Sequence, residues 1–143
     1  MSNFRSVVIF DSNLVVSAFL NPQGTAAQAL QIGLEHFDLA CSKETLAELL
    51  DVLKRDKFDK YSSKAERAEK LETYAQSVRF FDVSIDIADC KDPKDNKFLA
   101  LAITAQAKVL VSGYKRDLLS MHPYQGIAVV GLREFVDGFQ QYA

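Results

Sequence analysis

The sequence predicts an α/β domain built on a parallel sheet with helices on both faces. Three observations carry this reading. Five short strand-like runs, Val7–Phe10, Phe37–Cys41, Val78–Val83, Lys108–Ser112 and Ile127–Val130, recur along the 143 residues. Helical patterns separate them, and strands alternating with helices make crossover units rather than hairpins. Acids stand just beyond or shortly after apolar runs, at Asp11, Glu48, Asp92, Asp95 and Asp117. Right-handed crossovers bring the C-terminal ends of parallel strands to one edge, where open α/β sheets bind ligands.

The elements follow in order. Val7-Val8-Ile9-Phe10 is short, apolar and bounded by polar residues, so it reads as a buried strand. Asp11-Ser12-Asn13 then either caps a helix starting near Leu14 or places a carboxylate at the sheet rim. Ala26–Glu35 carries Ala27, Leu30 and Leu34 on one side. Lys43–Leu53 has Leu46, Leu49, Leu50 and Leu53 at helical spacing, with Ser42 as N-cap. Glu48 lies opposite that stripe, with Glu44 and Asp51. It is therefore a solvated residue unless the helix turns its polar side toward the sheet edge. Ser63–Gln76 is heavily charged, with Ala65, Ala68, Leu71 and Ala75 as its apolar positions. Between these two helices, Arg55–Tyr61 reads as the tip of a projecting helical hairpin. Its Phe58 and Tyr61, set between charges, suit an interface for a homodimer or a protein partner.

Asp92-Pro93-Lys94-Asp95 reads as a helix start, with Asp92 as N-cap, Pro93 at N1 and Asp95 at N3. The cap explains Asp92 fully and Asp95 in part, so Asp95 is free to face a site. Asp95–Ala105 continues as an Ala- and Leu-rich helix. Gly113 permits a sharp turn after the fourth strand, and Asp117 is either a cap or a supporting acid. Leu132–Phe139 forms the last helix.

Composition is that of a soluble globular chain: 48% hydrophobic, 25% charged, net charge −2. The length fits one domain over residues 1–143. No apolar stretch approaches a membrane span, and no leader-like segment precedes the first strand, so a cytoplasmic location is expected. Cys41 and Cys90 lack metal spacing and read as reduced structural residues. His36 and His122 are isolated and lack zinc spacing. The small negative charge does not advertise a nucleic-acid binder. With four acids set aside as a metal cluster, however, the 17 Lys and Arg outnumber the remaining acids.

Clustered carboxylates suit a hard cation, Mg²⁺ or Mn²⁺. Such ions activate water and stabilise a leaving oxygen in phosphodiester cleavage without a Ser or His nucleophile. The chain has no Gly-x-Ser-x-Gly, Gly-x-Gly-x-x-Gly or phosphate-binding Gly-Lys-Ser/Thr loop. A phosphoacceptor role for Asp11 is disfavoured because Asn13 stands where a second Asp is usual. Lys94, Lys97, Lys115 and Arg116 surround the acidic motifs as candidate phosphate contacts or as solvated surface charge.

In sequence order, these segments resemble the PIN domain, a family of metal-dependent nucleases. Val7-Val-Ile-Phe-Asp11-Ser-Asn13 resembles its opening motif, and Ser42-Lys-Glu-Thr-Leu-Ala-Glu48-Leu its second. Asp92-Pro-Lys-Asp95-Asn-Lys-Phe-Leu-Ala resembles the helix with the third acid, and Val109-Leu-Val-Ser112-Gly the strand end before the fourth. The nearest likeness is to a bacterial subgroup described as toxin components of toxin–antitoxin systems. The resemblance implies a three-layer α/β/α sandwich around a parallel sheet of about five strands, the first strand central. It also implies a ribonuclease held inactive by an antitoxin. Asp11, Glu48, Asp95 and Asp117 would then be catalytic, metal-binding acids, with Asn13, Asp92 and Ser112 in support. One departure stands out: Tyr114 fills a position where the family often has Asp or Asn, which implies weakened binding of a second metal ion.

Overall fold

The computed structural model describes residues 5–113 and 115–143. Its centre is a five-stranded, all-parallel sheet in the order β3-β2-β1-β4-β5. The strands are β1 Val7–Phe10, β2 Asp38–Cys41, β3 Arg79–Phe80, β4 Val109–Ser112 and β5 Ala128–Gly131. The first strand is central, as the family resemblance implies. The third run is strand for only two residues, because the stretch after it leaves the sheet as irregular chain.

Side chains alternate across the strands and build a core on each face. Val8, Phe10, Leu39, Val109, Val111 and Val130 point into one core, while Val7, Ile9, Ala40, Leu110 and Val129 point into the other. The helices are α1 Ser12–Leu20, α2 Thr25–His36, α3 Lys43–Leu53, α4 Lys64–Ser77, α5 Asn96–Ala105, α6 Arg116–Leu119 and α7 Leu132–Gly138. The first core is closed by residues of α1, α2, α3, α4 and α7. The second is closed by Phe98, Leu99, Leu101, Ala102 and Ala105 of α5, with Leu118 of α6. A buried strand covered on both faces must be apolar throughout, and all four residues of β1 are buried. Gly33 in α2 permits the close approach that seats Phe10: a Cβ there would lie 2.9 Å from the Phe10 ring.

Helix α3 begins and ends where its spacing and cap predict. Ser42 accepts from the Thr45 N–H, and the Thr45 hydroxyl accepts from the Ser42 N–H, satisfying two donors at once. Its buried face is Thr45, Leu49, Val52 and Leu53, whereas Leu50 is 39% exposed.

Helix α4 differs from expectation. Its buried residues are Arg67 and Tyr74, with Leu71 partly buried, and its alanines face outward. Arg67 is 1% exposed. Its guanidinium donates to the carbonyls of Leu53, Arg55 and Ser62 and to the Asp59 carboxylate. The Arg55–Tyr61 segment is therefore not a free tip. It contains a 3₁₀ turn at Asp56–Phe58, and Phe58 packs back on the core while Tyr61 stays 64% exposed. Cys41 and Cys90 are buried free thiols. His122 accepts from the Val129 N–H, and His36 lies against Phe139. No helix among the described residues is long and apolar enough to cross a membrane.

Candidate active site

The C-terminal ends of β1 and β4 meet at Asp11. This carboxylate is fully buried. Its Oδ1 accepts from the Leu14 N–H at 3.0 Å, which makes Asp11 the N-cap of α1. Its Oδ2 accepts from the Ser112 hydroxyl at 2.6 Å and the Gly113 N–H at 3.3 Å. Capping and rim placement, alternatives in the sequence, coexist in one side chain. Burial pushes the Asp11 pKa above the usual carboxylate value, opposed by these hydrogen bonds and by Lys115.

Asp95 arrives from the other side. The chain turns through a 3₁₀ helix at Pro93–Asp95, where Asp92 accepts from the Lys94 N–H as predicted. This turn delivers Asp95, 1% exposed, to the head of α5. Its Oδ1 lies 3.9 Å from the Lys115 ammonium, while its Oδ2 is buried and has no hydrogen-bond partner. Desolvation raises its pKa first, Lys115 opposes, and the charges of Asp92, Asp11 and Glu48 raise it further. Asp11, Glu48, Asp92 and Asp95 therefore share one electrostatic neighbourhood.

Glu48 reaches this neighbourhood because α3 turns its polar side toward α5. There it pairs with Lys97, whose ammonium also donates to the Lys94 carbonyl. Each side chain of this pair is 25% exposed. Asp117 stands partly exposed in the single turn of α6. Its charge, with those of Asp95 and Asp92, helps raise the buried Cys90 thiol, for which desolvation is the first cause. Asn13 is exposed on the first turn of α1. Lys94 and Arg116 are exposed, with no ion-pair partner among the described residues. Tyr114, the departure from the family pattern, lies outside the described residues.

The Lys97–Glu48 and Lys115–Asp95 pairs are not legible in the sequence, which marks these lysines as phosphate contacts or as solvated surface charge. Among the described residues, no three His, Cys, Asp or Glu side chains stand close enough together to hold a metal ion. Glu48 and Asp95 are instead turned to lysines. The donor chemistry nonetheless suits a hard divalent cation, because a buried, unpartnered carboxylate oxygen sits among like charges. A cleft of about 710 Å³, lined by Leu14, Ser17, Asn21, Thr25 and Tyr61, opens beside Gly113.

These features define an α/β sandwich with a carboxylate site where its two central parallel strands end. The chain belongs to the PIN domain family, whose model matches residues 7–116. Its fold is similar to that of VapBC2 from Rickettsia felis bound to a promoter DNA fragment, at 16% identity and TM-score 0.60, over 87% of this chain and 98% of that one. DNA-bound VapBC from Salmonella typhimurium is similar at 13% identity and TM-score 0.60, over 89% and 98%. PAE2754 from Pyrobaculum aerophilum is similar at 13% identity and TM-score 0.61, over 96% and 90%. No curated protein sequence matches the chain.

Proposed function

We propose that this protein is a metal-dependent endoribonuclease serving as the toxin of a toxin–antitoxin pair. The observation that carries the reading is the unpartnered Asp95 oxygen, buried among the charges of Asp11, Glu48 and Asp92. Asp11, Glu48 and Asp95 would hold Mg²⁺ or Mn²⁺, with Asp117 as a further acid and Asn13, Asp92 and Ser112 in support. A bound ion supplies an activated water and charge stabilisation at the leaving oxygen. The protein's own work is positioning. Ser112 and Gly113 fix Asp11, and the Asp92 cap sets the turn that presents Asp95. Lys94, Lys97, Lys115 and Arg116 bind the phosphates flanking the cut. The likeness to VapBC structures and the toxin-subgroup motifs support an antitoxin partner, and exposed Tyr61 supports a protein interface, including a homodimer, at the α3–α4 connection.

Tyr114 favours a second reading, a PIN module that binds RNA or protein without cutting. RNA cleavage measured with added Mn²⁺ separates the two. Cleavage by the native chain and none by Asp11→Asn supports the nuclease. RNA binding without cleavage supports the module, and cleavage surviving in Asp11→Asn removes this site from the reaction.

A further inference from the structure

A cluster of buried like charges needs a counter-charge whether or not a metal is bound. Burial disfavours every ionised carboxylate, and each neighbouring acid adds to the penalty. Two lysines answer that need. Lys97 reaches from α5 to Glu48 on α3, and Lys115 reaches from the α6 N-cap position to Asp95 at the head of α5. Neither is a free surface charge. Lys97 is also held by the Lys94 carbonyl, and the Lys115 N–H donates to the same Ser112 hydroxyl oxygen that donates to Asp11. Lys94 and Arg116, close by in sequence, have no such pairing. Glu48 and Asp95 are thus each balanced by a lysine, and among the described residues no three acids are gathered around one point.

Resting on the proposed metal-binding role of these acids, we propose that Lys97 and Lys115 are resident counter-cations. They compete with a divalent ion for Glu48 and Asp95, so that an entering ion must displace both ammonium groups. Two effects follow with opposite signs. The lysines stabilise the metal-free protein, because they offset repulsion among the acids. They also weaken metal binding, because an entering cation competes with charges already in place. A lysine that contacts phosphate at a distance from the acids has little of either effect on the RNA-free protein.

The experiment is Mn²⁺ titration of the full chain at fixed ionic strength, without RNA, paired with thermal unfolding before and after Mn²⁺ saturation. Lys97→Gln and Lys115→Gln are each expected to bind Mn²⁺ about fivefold more tightly, and the double variant about twentyfold. Their metal-free melting temperatures are expected to fall, with the deficit closing at saturation. Lys97→Arg keeps the charge and is expected to stay near the native affinity. Arg116→Gln is the control for general loss of surface charge. Native protein that binds Mn²⁺, with glutamine variants of equal or weaker affinity, overturns this proposal alone. A gain in affinity equalled by Arg116→Gln also overturns it. Native protein that binds no Mn²⁺ overturns the metal-dependent reading and this proposal with it. A glutamine variant that fails to fold is replaced by Lys97→Met or Lys115→Met, which keeps most of the packed stem and is held to the same affinity criterion.

Discussion

Ser112 donates a 2.6 Å hydrogen bond to Asp11 across 101 residues of sequence, joining the ends of the two central strands. Both residues are essentially buried, so the carboxylate oxygen has no water to replace a lost donor. Ser112→Ala leaves that oxygen only the longer Gly113 N–H bond and takes away the acceptor of the Lys115 N–H, and is expected to destabilise the protein by about 1–3 kcal/mol. Asp11→Asn is expected to abolish ribonuclease activity while the fold survives. Chemical unfolding and near-ultraviolet circular dichroism check stability and fold, and a cleavage assay checks activity.

Arg67 is the strongest structural prediction. It ties together the carbonyls of Leu53, Arg55 and Ser62 around the α3–α4 connection. Arg67→Ala leaves several of these acceptors unpaired and is expected to cost about 3 kcal/mol or more. Arg67→Lys cannot reproduce the planar fork and is expected to recover little of the loss. Hydrogen exchange should show the Arg55–Ser62 amides losing protection first. Unchanged stability would contradict the role assigned to this side chain.

RNA affinity should fall steeply with salt if Lys94, Lys97, Lys115 and Arg116 contact phosphates. Neutralising Lys94 and Arg116 together is expected to reduce the slope of log affinity against log salt by roughly 1.4, at about 0.7 per contact for single strands. Binding that stays flat from low to physiological salt would remove these residues from the interface.

The Cys41 thiol is pushed up to about 11 by burial, against an ordinary value of 9.0. The sign is fixed by which state keeps the proton. Between those two values the folded thiol stays protonated while the unfolded one ionises. The stabilisation is therefore complete below about pH 9 and lost as pH rises through about 11. Cys41→Ala should flatten the fall in melting temperature over that window relative to the native chain. Native Cys41 should also resist alkylation near neutral pH, because the thiolate is the reactive species.

Tyr61 rather than Phe58 is the exposed ring of the α3–α4 connection. Tyr61→Ala is expected to weaken self-association or partner binding at little cost in stability. Phe58→Ala is expected to destabilise the fold. Analytical ultracentrifugation and thermal unfolding of the two variants test this division.

The sheet and most helices are legible in the sequence because strand and helix periods are local signals. Val7–Phe10, the Ser42-capped α3 and the Asp92-Pro93 turn all stand where the pattern places them. The face of α4 is not legible, because a buried arginine satisfied by carbonyls on another segment looks like a solvated charge in one dimension. The same holds for Glu48. Its position opposite the leucines marks it as exposed, and only its neighbour across space, Lys97, places it by the acids. The candidate acids and the lysines near them can be named from the sequence, whereas the pairing of Lys97 with Glu48 and of Lys115 with Asp95 comes from tertiary packing.

The placement of β1 has a consequence for how the chain is made. It pairs with β2 through Val7 and Val8, but its other edge waits for β4 at Val109–Val111. At usual translation rates, about 5–20 residues per second, that edge stays unpaired for roughly 5–20 s. An apolar strand with a bare edge invites pairing with other chains. The hazard in this molecule therefore lies in its synthesis: the interval during which its central strand lacks one neighbour is the interval when a chaperone matters most.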